Sequence, residues 1–231
     1  MTRTLTSKDK TLLDRMAASA ITEALADMLT RQKNAVFCVA GGRSVKGVFE
    51  NLKNSEISWE KVHVFMADER RVPITDPESN FKLANDTFLK ELADLGKLPK
   101  ENVHPFIVKE DESAGVADYN KELEKTGGRC DLVLLSAGED GHIGSLYPNH
   151  PSIKDESKQY IKVENSPKLP AERMSMSRHM IENSTFAFLL FCGEGKKDAY
   201  KRFNDTKLTE INCPAKTVLK AHKSYVFTDI Q

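Results

Sequence analysis

Four short apolar runs, each about the length of one strand and each followed by a turn and an amphipathic stretch, limit what this chain can fold into. They are residues 35–40 (AVFCVA), 62–66 (VHVFM), 131–135 (DLVLL) and 186–191 (FAFLLF). Runs that stay apolar at successive positions belong to strands covered on both faces, as parallel strands are. The stretches between them carry helical spacing. In 9–32, Leu12, Leu13, Met16, Ala20, Ala24, Leu25, Met28 and Leu29 share one broad face. Ser44 opens and caps a helix carrying Val48, Phe49 and Leu52. Residues 81–92 (capped by Asn80), 114–124 and 193–203 (after a glycine turn) read as further helices, and 225–227 as a short last strand. Strands alternating with helices predict βαβ crossovers, hence a single Rossmann-like α/β domain over 1–231: a doubly wound, mostly parallel sheet with helices on both faces.

Composition narrows the function classes. With 34 basic and 34 acidic side chains the chain is neutral, which argues against nucleic acid as a partner. No apolar run approaches the ~20 residues of a membrane helix. The first residues, MTRTLTSKDKTLLDRM, lack the apolar core and cleavage site of a secretory signal. Cys38, Cys130, Cys192 and Cys213 are far apart and form no C-x-x-C pair, as expected of reduced thiols in the cytoplasm. Neither they nor the six histidines show metal-ligand spacing, so no metal is expected. No heptad or apolar patch stands out, and a monomer or weak homo-oligomer is expected.

In open parallel sheets ligands bind at the carboxyl ends of the strands, so function is read from the residues just beyond each strand. After 35–40 come Gly41, Gly42, Arg43 and Ser44, a glycine turn into a helix start that suits a phosphate, although it is no nucleotide motif. After 62–66 stand Asp68, Glu69, Arg70 and Arg71, where an arginine can meet a phosphate oxygen and a carboxylate can orient a hydroxyl. The third strand runs into Gly138-Glu139-Asp140-Gly141-His142. A histidine two residues beyond an aspartate, in a glycine turn at a strand end, is a candidate general base. Arg173 opens RMSMS, an alternating segment suited to a strand lining the site, and Lys196 comes after Gly193-Glu194-Gly195 at a helix start. His63 and His104 flank apolar runs and read as packing residues; His179 and His222 carry no signal.

Taken together, AGGRS, ADERRVPITDPESN, CDLVLLSAGEDGHIGSLYPNHPSI, ENSPKLPAERMSMS, FCGEGKKDAYKRF and CPAKTVLK resemble the 6-phosphogluconolactonases of the sugar-phosphate isomerase and deaminase superfamily. The resemblance runs from about residue 35 to the C-terminus. It implies hydrolysis of 6-phospho-D-glucono-1,5-lactone to 6-phosphogluconate, in the oxidative pentose phosphate pathway and without a cofactor. His142 matches the base that activates water and Asp140 the acid beside it. Gly41, Gly42 and Ser44 match the substrate-phosphate loop. Arg70, Arg173 and Lys196 match basic positions of the site, and Asp68 and Asn80 polar ones; Arg43 and Gly141 complete the set.

Three positions depart from the family pattern. The loop reads Gly42-Arg43-Ser44-Val45 where relatives have G-G-S-T-P, Ile143 replaces a threonine, and Thr185 replaces a basic residue. The alternative is a glucosamine-6-phosphate deaminase-like isomerase, whose A-F-N-E-P segment supplies a second carboxylate; here Tyr147 stands in its place. A non-catalytic sugar-phosphate sensor is the other alternative. Such regulators usually append a DNA-binding module, for which 231 residues leave no room.

Overall fold

The computed structural model describes residues 2–230, the side chains of 112–114 excepted. In chain order the strands are β1 (Thr2–Thr6), β2 (Ala35–Val39), β3 (Val62–Met66), β4 (Asp68–Arg70), β5 (Val103–His104), β6 (Leu132–Ser136), β7 (Tyr160–Val163), β8 (Arg173–Met176), β9 (Phe186–Phe191) and β10 (Lys223–Thr228). Seven of them form a wholly parallel sheet in the order β1-β10-β9-β6-β2-β3-β5. The helices are α1 (Lys10–Leu29), α2 (Lys46–Leu52), α3 (Asn80–Ala84), α4 (Lys90–Asp94), α5 (Glu112–Lys125), α6 (Pro151–Lys154), α7 (Arg178–Glu182) and α8 (Lys197–Asn204). A π turn, Asn85–Leu89, joins α3 to α4 into one run.

The apolar runs became the central strands. Every residue of β2 and β9 is buried, so helices cover both faces of the sheet. The amphipathic stretch before β2 became α1, opened by Asp9, whose carboxylate accepts from the N–H groups of Thr11 and Leu12 at 2.9 and 3.2 Å. Between β2 and β6 the direction of winding reverses: the chain steps from β2 to β3 on one side, and from β6 to β9 on the other. A crevice opens at such a point, between the carboxyl ends of the two strands.

Among the departures from expectation, two bear on the site or the sheet edge. Strand β1 is not anticipated from sequence, because TRTLT is largely exposed and pairs only with β10 at the sheet edge, so it carries no apolar signature. A second sheet also exists, antiparallel and in the order β4-β8-β7. Of its strands only β8 is anticipated, from RMSMS. Strand β4 looks like a charged loop, yet Asp68 and Glu69 are buried. Glu69 is satisfied there by Ser79 Oγ and by the N–H groups of Arg70, Asn80 and Phe81, at 2.7 to 2.9 Å, and so closes the start of α3. The two sheets meet where Met176 N–H donates to Ala67 O at 2.7 Å.

His63 and His104 pack as expected, against each other. Their ring nitrogens lie 3.0 Å apart, and His104 stacks on Phe65 with centroids 4.0 Å apart. Burial, with His63 adding to it, pushes His104 down to about 4, and burial also lowers His63. The unfolded chain therefore holds more protons between the ordinary histidine value of 6.5 and about 4, and stability declines as pH falls through that window. Urea midpoints are expected to drop between about pH 7 and 5, with a shallower drop in His104→Phe.

Candidate functional site

The crevice between β2 and β6 holds a cavity of about 590 Å³. Gly41, Gly42, Arg43, Ser44, Asp68, Arg70, Asn80, His142, Arg173 and Lys196 all border it, so topology gathers residues that are up to 155 positions apart (196 − 41). Six basic side chains line the cavity (Lys10, Arg43, Arg70, Lys168, Arg173 and Lys196) against three carboxylates (Asp68, Glu139 and Asp229). A neutral protein thus concentrates positive charge in one cleft, as an anionic ligand requires. Arg70 and Arg173 are even register partners across the antiparallel pair β4–β8, a juxtaposition of like charges that sheets otherwise avoid.

At one wall, His142 Nδ1 lies 2.5 Å from Asp140 Oδ1, and His142 N–H donates to the same oxygen at 3.1 Å. With Nδ1–H donating its hydrogen bond to the aspartate, Nε2 keeps its lone pair for a proton acceptor's role. Burial opposes charge on Asp140, but the bonds and charge of His142, with a smaller contribution from Lys168, hold its carboxyl well below the usual range. Arg202 from α8 fixes the turn from behind by donating to Asp140 O at 3.1 Å. The ring abuts Gly138, where a Cβ would come within 2.0 Å of its Cε1 and Nδ1.

Two turns of the same design border the cleft. Gly42 (φ 97°) comes after β2 and leads into the 3₁₀ turn Arg43–Val45, while Gly193 (φ 94°) comes after β9 and leads into the 3₁₀ turn Glu194–Lys196. That left-handed backbone favours glycine. Gly193 N–H is held by both carboxylate oxygens of Asp229, at 2.9 and 3.0 Å. Burial lowers Lys196 from the usual lysine range, Lys168 and Arg43 push the same way, and Glu139 and Asp140 oppose them.

Several roles differ from those expected. Ser44 lies inside its 3₁₀ turn and makes no cap bond. Asn80 is not the cap of α3 either; that is Ser79, which accepts Lys82 N–H at 3.1 Å. The Asn80 amide instead donates to Asp68 O and Oδ1 at 2.9 and 3.2 Å, and Ser145 Oγ donates to Asp68 Oδ2 at 3.0 Å, so Asp68 is held in the cleft wall. Gly141 lies behind the turn against Cys213, away from the cavity. Arg70 gives Nη1 to Glu78 O. Thr185 precedes β9, at the opposite edge of the sheet, so its missing charge does not bear on the cleft.

Lys10, Glu139, Lys168, Cys192 and Asp229 are not singled out by sequence. Cys192 and Asp229 stand directly after β9 and β10, and a search of the residues just beyond each strand finds both once β10 is extended to Thr228. Lys10 sits on α1, where it pairs with Asp14 and donates to Ser44 O at 3.2 Å; no sequence signal marks it. All four cysteines are free and buried. Among the described residues no three His, Cys, Asp or Glu side chains are grouped to hold a metal, and no helix is long and apolar enough to cross a membrane.

These features define a class: a doubly wound α/β protein with an enzyme-like cleft for a small anion. Comparison with known proteins refines it. The family model described as glucosamine-6-phosphate isomerases/6-phosphogluconolactonase matches residues 8–227. The 6-phosphogluconolactonase of Borreliella burgdorferi is 33% identical over 195 residues, 84% of this chain and 83% of that protein. A crystal structure of 6-phosphogluconolactonase from Thermotoga maritima superposes with a TM-score of 0.85 over 99% of both chains at 23% identity. A monomeric glucosamine-6-phosphate deaminase does so with a TM-score of 0.81 over 98% of this chain and 96% of its own, at 19% identity. The chain belongs to the glucosamine-6-phosphate isomerase and 6-phosphogluconolactonase family.

Gly138→Ala is expected to displace the imidazole and lower kcat by about ten-fold or more with little change in Tm. Turnover alongside thermal melts checks this.

Proposed function

We propose that this chain hydrolyses 6-phospho-D-glucono-1,5-lactone to 6-phosphogluconate, as a one-domain cytoplasmic enzyme, monomeric or weakly self-associating, that needs no cofactor. The fold serves lactonases and deaminases alike, so the choice rests on the base and its neighbours. The carrying observation is the Asp140–His142 pair, with Nε2 left as acceptor, beside Tyr147. The buried Tyr147 ring packs 4.8 Å from the imidazole and occupies the position where the deaminase pattern has its second carboxylate. A single histidine base suits water attack on an ester.

Water loses a proton to His142 Nε2 as its oxygen bonds to the lactone carbonyl carbon, and the carbonyl oxygen takes up the negative charge. Asp140 orients the ring and stabilises the imidazolium that forms. When the tetrahedral intermediate collapses, the bond to the ring oxygen breaks and the imidazolium returns its proton to that oxygen. The carboxylic acid so formed loses its proton to solvent, so the open product carries a carboxylate and a new hydroxyl, with one proton released. Gly41, Gly42, Arg43, Ser44 and Lys196 surround the space for the phosphate, and Arg70 and Arg173 add charge to the wall.

Acid release from freshly prepared lactone, corrected for spontaneous hydrolysis, tests this reading. His142→Ala is expected to lose most turnover with KM within about three-fold. Asp140→Asn keeps an acceptor for the Nδ1 proton but removes the charge that stabilises the imidazolium; kcat is expected to fall by about 10–10²-fold. Wild-type protein no faster than the spontaneous rate, with ammonia released from glucosamine 6-phosphate, would establish the deaminase instead.

A further inference from the structure

Arg173 stands where the resemblance places a basic residue of the site, yet its guanidinium is turned onto its own chain. Nε donates to Pro170 O at 3.0 Å, and Nη2 donates to Lys168 O and Leu169 O, both at 3.1 Å. The residue is buried. One planar, buried group thus fixes three consecutive carbonyls, which a lysine could not do with the same geometry. Ser166 supports the same segment: its hydroxyl donates to Lys168 O at 2.9 Å and accepts Lys168 N–H at 3.2 Å. Packing does not explain this order, since Leu169 is 86% exposed.

What the segment presents is Lys168. It borders the cavity, and its ammonium makes no hydrogen bond or ion pair among the described residues. It shares the cavity wall with His142 and with Gly193, Gly195 and Lys196 of the second glycine turn. The phosphate is equally charged in substrate and product. Only the lactone carbonyl gains charge during the reaction, becoming first an alkoxide and then a carboxylate, and an unpaired cation on the wall it shares with the base can meet that charge.

We propose that Lys168 stabilises the negative charge developing on the lactone carbonyl oxygen, and that Arg173 is the positioning residue that holds it there. This rests on the lactonase reading above. The test is steady-state kinetics on the full chain, with 6-phosphogluconate binding followed by calorimetry as a readout independent of turnover.

In Lys168→Met, kcat is expected to fall by about 10²-fold with KM within about three-fold, and Lys168→Arg is expected to recover part of the loss. Affinity for 6-phosphogluconate, which carries the carboxylate, is expected to fall by about ten-fold, while affinity for glucitol 6-phosphate, which lacks it, stays unchanged. Arg173→Met is expected to lower kcat comparably in the wild-type background, but by less than about three-fold in Lys168→Met. A merely structural arginine would cost the same in both backgrounds, and that outcome overturns the positioning role. A rise in KM of about ten-fold or more at unchanged kcat would assign Lys168 to the phosphate and overturn the oxyanion role. A wild type without lactonase activity overturns the parent reading instead. Equal losses of affinity for the two sugar phosphates would then reject Lys168 as a carboxylate ligand on its own terms.

Discussion

Seven strands running the same way leave all their carboxyl ends on one edge of the sheet, and most of the cleft derives from that constraint. Covering β2 and β9 on both faces requires crossovers, and crossovers return the chain to the amino edge before each new strand. Every strand therefore delivers its last residues to the same rim. The reversal of winding between β2 and β6 parts two of those rims, and residues with no sequence proximity face each other there. Because side chains on a packed sheet cannot drift, the rim is also a rigid mount for chemistry.

The polar parts of the rim are built in layers. His142 is oriented by Asp140, whose carbonyl is held by Arg202; Asp68 is held by Asn80 and Ser145; Gly193 is held by Asp229. Buried polar groups are tolerable only when satisfied, and here the satisfaction comes mostly from residues outside the cleft itself. Glu69 shows the same logic without touching the cavity: four donors surround one buried carboxylate and fix the approach of α3.

The parallel core was legible because burial on both faces leaves an unmistakable mark, a run of apolar residues as long as a strand. The turn holding Asp140 and His142 was legible because glycines and a paired acid at a strand end leave few structural purposes. Strand β1 was not, since TRTLT lies at an exposed edge where nothing demands apolar side chains. Strand β4 was hidden for the opposite reason: it is buried but charged, and its acids are satisfied by partners that only the fold brings near. Arg173 illustrates a further limit. Sequence placed a guanidinium in the right wall, but which atoms its donors meet depends on the path of 168–170, which no residue pattern discloses. Lys10 reaches the cleft from a helix that precedes every central strand, so a search of strand ends passes it by.

Strands β1 and β10 are parallel neighbours, with Thr2 beside Ser224 and Thr6 beside Thr228. The two ends of the chain therefore leave the sheet at opposite rims. Polypeptide joined ahead of β1 emerges beneath the sheet, remote from the cleft. The carboxyl end of β10 lies at the mouth, where Asp229 borders the cavity and is engaged with Gly193, before Ile230 turns into the core. An affinity tag, a fluorescent fusion or a surface tether thus has a natural side. Attached through the N-terminus, the molecule can be immobilised with its cleft facing solution, whereas an anchor on the carboxyl rim crowds the opening that substrate must use.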